Sequence, residues 1–94
     1  MEITIAGLKE LASRRKSIIR VFGRLDVHFF SINPEGLVDS PVMEIIPQER
    51  MDAFFADVLA QAERFLMQGR FWKRDLDRAE LEQLLGKMNV SSLK

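Results

Sequence analysis

The sequence contains one histidine, His28, and it is the first residue whose chemistry could define a site. Asp26 lies two residues earlier, and in a strand of period two both side chains would point to the same face. A general base or a metal site needs further partners, and the chain has no cysteine, no tyrosine and no second histidine. We therefore interpret His28 as a structural residue and predict no catalytic or metal role for it.

The other candidates for acid–base or nucleophilic chemistry lack a supporting context. No serine lies in the G-x-S-x-G pattern that exposes a nucleophile at the end of a strand. The nearest carboxylate pairs, Asp52 with Asp57 and Glu80 with Glu82, are not at i,i+4 spacing and lie in patterns typical of solvated surfaces. No phosphate-binding glycine loop, dinucleotide motif, calcium loop or zinc-ligand spacing occurs. The sequence predicts a protein that is not an enzyme and that uses no cofactor or metal.

Two basic clusters carry more chemical information. The first comprises Arg14, Arg15, Lys16, Arg20 and Arg24, and the second surrounds Phe71 and Trp72 with Arg70, Lys73, Arg74 and Arg78. Cations interleaved with aromatic rings can hold a phosphate backbone and stack on bases. Basic residues at a helix C-terminus also offset the helix dipole, and such aromatic residues can fill a core. Binding of nucleic acid through clusters 14–24 and 70–78 is therefore our alternative functional hypothesis.

An apolar interaction surface is the other candidate feature. Phe, Trp and Met are common interface anchors, and this chain has seven Phe, five Met and one Trp. That supply exceeds what a short hairpin and three helices can bury. The predicted contact residues are Phe22, Phe30, Val42, Ile45 and Trp72. Our first hypothesis is a small adaptor or regulatory protein that contacts an unidentified protein partner.

Length and composition limit the class of protein. A chain of 94 residues with 47% apolar and 30% charged residues has the composition of one globular domain, predicted to span residues 1–94. The lack of cysteine fits a reducing compartment, and the N-terminus resembles no signal peptide. No apolar run approaches the length that a membrane span needs. We expect a cytoplasmic protein with no membrane partner.

The elements that position these residues begin with a helix over about Ile5–Arg15. Its apolar stripe continues at helical spacing, so a helix extending to about residue 22 is the alternative. We prefer the shorter helix because β-branched and aromatic residues crowd positions 18–30 and Gly23 would weaken a helix. Residues 19–29 alternate with period two, which predicts one strand with a bulge at Gly23.

An antiparallel β-hairpin is expected next. Asn33-Pro34-Glu35-Gly36 has the residues of a tight turn, because proline presets its own backbone angle and glycine accepts a positive φ. Leu37–Ile46 would return as the partner strand. Pro41 removes a ladder donor from that strand, which places it at an edge or breaks it.

A long amphipathic helix over about Pro47–Gln68 is the strongest periodic pattern in the sequence. Its apolar stripe runs at three-and-four spacing from Met51 to Leu66. Pro47 suits the first helical position, and Gly69 suits a left-handed residue after the helix end.

A short C-terminal helix over about Arg78–Lys87 completes the predicted α+β fold. Asp77 and Glu80 have the spacing of a capping box, and the tail 89–94 is expected to fray. A lone two-stranded hairpin is marginal in water, so we predict that a homodimer completes or covers the sheet. The mildly basic ends and acidic middle of the chain also suit self-association.

Overall fold

A computed structural model describes residues 2–70 and 73–88, which form three α-helices packed on one face of a five-stranded antiparallel sheet. The helices are α1 (Ile5–Arg15), α2 (Met51–Gln61) and α3 (Arg78–Lys87). The strands are β1 (Ser17–Phe22), β2 (His28–Ile32), β3 (Val38–Asp39), β4 (Arg64–Gly69) and β5 (Lys73–Asp77). They lie in the order β3-β2-β1-β4-β5, so β1 is the central strand. The α+β class is confirmed.

Helix α1 has the predicted bounds, and capping explains both ends. The Thr4 hydroxyl accepts a hydrogen bond from the Gly7 N–H at 3.0 Å, which satisfies a free donor of the first turn. Lys16 follows the helix with a φ of 52°, in the left-handed region. The alternative of a helix extending to residue 22 is wrong, because Ser17–Phe22 forms β1.

The predicted single strand over residues 19–29 is also wrong, because the chain reverses within it. Leu25 and Asp26 have φ values of 57° and 60°, and the Val27 N–H donates to the Arg24 carbonyl at 3.2 Å. This turn separates β1 from β2, with an irregular register between Val21 and Phe22. Because apolar residues continue through the turn, the alternation along the sequence did not reveal it.

The tight turn after β2 occurs where the sequence predicts it. The Asn33 side-chain oxygen accepts hydrogen bonds from the N–H groups of Glu35 and Leu37, and Gly36 has a φ of 84°. The returning strand is much shorter than predicted: only Val38–Asp39 pairs with β2, and turns occupy positions 41–45.

The predicted long helix over Pro47–Gln68 is wrong beyond Gln61. Ala62 is extended with a ψ of 138°, and Arg64–Gly69 forms β4. The helical stripe misled because Phe65 and Met67 also fit an alternating strand, and both are fully buried. All six residues of β4 pair with β1, so tertiary pairing overrides the local helical pattern. Gly69 ends a strand rather than a helix.

Helix α3 also has its predicted bounds. The Asp77 carboxylate accepts a hydrogen bond from the Glu80 N–H at 2.8 Å, as expected for an N-cap. The tail 89–94, predicted to fray, lies outside the described residues. None of the helices in the described part is both long and apolar enough to span a membrane.

The core lies between the helices and one face of the sheet. Alternate residues of four strands point into it, and each helix contributes one apolar stripe. The sheet supplies Ile19, Val21, Phe30, Ile32, Phe65, Met67 and Leu76. The helices supply Leu8, Leu11, Ala12, Met51, Phe55, Leu59, Leu81 and Leu85. The opposite face of the sheet therefore has no helix over it among the described residues.

Candidate interaction surfaces

The sheet face without helices, here called the open face, is defined by strand register. Its middle row runs Asp39–Ser31–Arg20–Leu66–Asp75 across all five strands. A second row contains His28, Phe22 and Arg64, and a third contains Ile18, Gln68 and Lys73. The residues of β1, β2 and β4 in these rows are half-buried, although no element covers them in the described part of the chain. Their partial burial comes from packing against one another.

The open face has an apolar centre formed by Ile18, Phe22 and Leu66. The Phe22 ring packs against the His28 ring with a centroid separation of 5.4 Å. The Arg64 guanidinium lies 4.7 Å from the centre of the same Phe22 ring, within the range of a cation–π contact. The face is thus more apolar than a strand surface designed only to meet water.

His28 takes part in packing rather than in a polar cluster. Its Nε2 atom is buried and has no hydrogen-bond partner among the described residues. Asp26, the acid considered as its companion, instead forms an ion pair with Arg64 at 2.6 Å. Within residues 2–70 and 73–88, no three potential metal-binding side chains come together.

The predicted interaction residues do not form one surface. Phe30 is fully buried beneath the helices with 0% exposure, so its placement on a contact surface is wrong. Phe22 is on the open face, whereas Val42 and Ile45 lie in the turns between β3 and α2. Ile45 is 77% exposed and Val42 is half-buried. Trp72 lies outside the described residues.

Leu25 was not singled out by the sequence analysis, but it is the most exposed large apolar residue among those described. Its side chain is 97% exposed, and its backbone has the positive φ that bulky residues rarely adopt. Val27, two residues later, is also largely exposed. The turn therefore presents apolar side chains that contribute little to the core.

The structure brings parts of the two basic clusters together at one corner of the molecule. Helix α1 ends there and continues into β1, whose Ser17 pairs with Gly69 of β4. Lys73 of β5 pairs with Gln68 of the same strand. We define the basic corner by seven residues: Arg14, Arg15, Lys16, Arg70, Lys73, Arg74 and Lys87. Lys87 belongs to it because it lines a cleft of about 310 Å³ together with Arg14 and Arg15.

Three other predicted cluster members lie elsewhere. Arg20 is in the centre of the open face. Arg24 lies in the hairpin turn and pairs with Glu63 at 3.1 Å. Arg78 begins α3 and donates to the Leu59 carbonyl near the end of α2. The spans 14–24 and 70–78 are therefore not single surfaces, and spacing along the chain could not show which cations converge.

Ion pairing within the basic corner is incomplete. Arg14 pairs with Glu10 at 2.8 Å, and Arg74 pairs with Glu80. Over the described ranges, no carboxylate lies within salt-bridge distance of the other five corner cations. Those cations are Arg15, Lys16, Arg70, Lys73 and Lys87. The residues outside those ranges contain no Asp or Glu.

Comparison with protein-family models, curated proteins and solved structures gave no significant match. The functional argument therefore depends on the two surfaces themselves. The open face offers apolar side chains flanked by charges, and the basic corner offers cations that no carboxylate side chain neutralises in the described part of the chain. Each arrangement is suited to binding rather than to bond-making chemistry.

Proposed function

We propose that this protein is a non-catalytic adaptor or regulator that forms a homodimer and acts through protein–protein contacts. The observation that carries the proposal is the apolar centre of the open face. An antiparallel sheet can leave one face in water when that face is polar. Here Ile18, Phe22 and Leu66 occupy it, and a partner surface would remove them from water.

A second copy of the chain is the occupant that the charges favour. Arg20 lies between apolar neighbours in the middle row, and no described carboxylate is within salt-bridge distance of it. Asp39 is an exposed acid at the β3 end of the same row. In a two-fold symmetric dimer any such contact occurs twice, so each Arg20 can meet the Asp39 of the other copy. The surface is therefore self-complementary in charge.

Face-to-face packing is favoured over extension of the sheet. Edge strand β3 has only two residues, with Pro41 shortly after it. The other edge strand, β5, carries exposed Lys73, Arg74, Asp75 and Asp77. Short and charged edges disfavour pairing with another strand. Of the two dimer arrangements expected from the sequence, we therefore propose the one in which a second copy covers the face.

The contact with another protein is assigned to the hairpin turn. Leu25 and Val27 expose apolar side chains at the end of the molecule where β1 meets β2. They do not fill the core, and Leu25 adopts a costly backbone conformation. The proposal also retains the cytoplasmic setting expected from the cysteine-free sequence.

Sedimentation equilibrium on the wild type and on Leu66→Lys tests the dimer. Leu66→Lys should weaken association about 100-fold, because a charge left unpaired in an apolar interface costs on the order of 3 kcal/mol. Ala60→Lys, on the exposed side of α2, is the control and should dimerise like the wild type. A wild type that stays monomeric at the highest concentration reached would contradict the dimer, and an unaffected Leu66→Lys dimer would exclude this interface.

A charge exchange tests the proposed contact more specifically. Arg20→Asp and Asp39→Arg should each weaken self-association, since each creates like-charge contacts. When the two variants are mixed, the heterodimer regains both opposite-charge pairs and should form in preference to either homodimer. Native mass spectrometry measures the three species directly. A statistical mixture would show that Arg20 and Asp39 do not meet across the interface.

A further inference from the structure

We infer that the basic corner binds the phosphodiester backbone of a nucleic acid. This goes beyond the proposed dimer and adaptor role, because the corner lies at the end of β1, β4 and β5 rather than at the centre of the open face. It rests on three observations: an excess of positive charge, the linear arrangement of the cations, and a cleft that three of them line.

The excess charge is larger than the fold requires. Glu10 and Glu80 pair with two of the seven corner cations. The C-termini of α1 and α3 also lie there, and each is equivalent to about half a negative charge. Together these groups leave roughly four positive charges uncompensated. Uncompensated charge of one sign raises the local concentration of ligands of the opposite sign.

Two corner cations have no role in offsetting a helix dipole. Arg14, Arg15 and Lys87 lie in the last turns of α1 and α3, where a cation stabilises the helix end. Arg70 follows β4 and Lys73 begins β5, so neither belongs to a helix. Both are exposed, and no described carboxylate pairs with them. Their presence is explained by a ligand better than by the fold.

The cations form a stripe rather than a compact cluster. Lys87 lines the same cleft as Arg14 and Arg15, and Lys16 then leads into β1. Arg70 and Lys73 lie at the ends of the neighbouring strands β4 and β5, with strands spaced about 4.8 Å apart. A linear array of this kind matches a linear polyanion, in which charges repeat along one direction. A single phosphate group would need convergent donors instead.

The cleft adds an apolar floor to the charged stripe. Leu11, Leu84 and Met88 line it together with Arg14, Arg15 and Lys87. Proteins that bind single strands combine cations that contact phosphates with apolar or aromatic side chains that contact sugars and bases. The arrangement favours a single strand, whose bases are accessible, over a duplex.

The test is fluorescence anisotropy with a labelled single-stranded oligonucleotide of mixed sequence, titrated with the full chain at several salt concentrations. The wild type should bind with an affinity that falls linearly on a log–log plot against salt. Arg70→Glu/Lys73→Glu should bind at least about tenfold more weakly, and its salt slope should fall by about two units, one for each lost phosphate contact.

The control is Lys9→Glu/Arg50→Glu, which changes the net charge by the same amount at exposed positions outside the corner. It should bind like the wild type, and circular dichroism should show both variants folded. Equal loss in the two variants would show an effect of net charge alone and would overturn the assignment to the corner. Unchanged binding by Arg70→Glu/Lys73→Glu, or no binding by the wild type, would also overturn it.

Two further probes separate nucleic acid from other polyanions. A duplex of the same sequence should bind more weakly than the single strand. Vesicles containing anionic phospholipid should not retain the protein at a salt concentration where the oligonucleotide does. Retention on vesicles without oligonucleotide binding would assign the corner to a membrane surface and would refute the inference.

Discussion

The hairpin end and the basic corner are both charged regions, but they organise their charges in opposite ways. We define the hairpin end by Arg24, Asp26, Glu63 and Arg64. There Arg24 pairs with Glu63, and Arg64 pairs with Asp26 while also covering the Phe22 ring. In the basic corner, five cations have no carboxylate partner among the described residues.

This difference separates charge that supports the fold from charge that is available to a ligand. At the hairpin end, the ion pairs connect the turn to β4 and hold it against the sheet. In the corner, like charges are held together without local compensation, which costs stability in the free protein. A bound polyanion would remove that repulsion. Substitutions at the two ends should therefore affect different measurements.

Gly23→Ala at the hairpin end should have the largest effect on stability. A Cβ atom at position 23 would lie 2.2 Å from Cζ of Phe29, so the ring would have to move. We expect a loss of about 2 kcal/mol in the free energy of unfolding, measured by urea denaturation.

The matched change at the corner is Gly69→Ala. Its Cβ would meet the Ser17 Oγ atom at 2.6 Å. A serine can rotate away at the cost of its hydrogen bond to the Arg15 carbonyl, worth about 1 kcal/mol. The smaller loss is therefore expected at Gly69. Equal or reversed losses would show that the Phe29 ring adapts easily and that the turn is less constrained than its geometry indicates.

Replacing one arginine at each end by methionine should show the difference in charge pairing directly. Arg64→Met removes two partly exposed ion pairs and a cation–π contact, for an expected loss of about 1 kcal/mol after solvent screening. Arg70→Met removes an exposed cation with no described carboxylate partner, so the free energy of unfolding should be unchanged within error. Thermal unfolding at low and high salt measures both. A larger loss for Arg70→Met would contradict the distinction.

Leu25→Asn should have the smallest effect and the opposite sign. Asparagine tolerates the left-handed backbone that Leu25 adopts, and the exposed leucine side chain loses no core contacts. We expect a gain of about 0.5–1 kcal/mol in the free energy of unfolding. The proposed role of Leu25 in partner contact predicts that this more stable variant binds less well. A variant destabilised by Leu25→Asn would show that the side chain packs on the protein after all.

Local sequence patterns were sufficient to predict α1, α3 and the turn at Asn33. In each case the determining interactions lie within a few residues: Thr4 with Gly7, Asp77 with Glu80, and the Asn33 side chain with the turn. They failed for β4, because the apolar residues from Met51 to Leu66 fit a helical stripe as well as a change from helix to strand. Pairing with β1 decides between the two, and that pairing joins residues far apart in the sequence.

The candidate surfaces were less predictable than the helices. The sequence identified Phe22 and most corner cations, but it could not show that Phe30 faces the core or that Arg24 lies far from Arg15. Strand direction decides the first, and the reversal at Leu25 decides the second. Lys87 was missed because its neighbours in the corner belong to α1 rather than to α3.

The central position of β1 has a consequence for synthesis. β1 pairs with nearby β2 on one side but with β4 on the other. During translation, the hairpin can form early, whereas the second edge of β1 has no partner until residues 64–69 have left the ribosome. A nascent chain that stops before Arg64 therefore carries an open strand edge with Ile19 and Val21 incompletely covered, a species prone to aggregation and a substrate for chaperones.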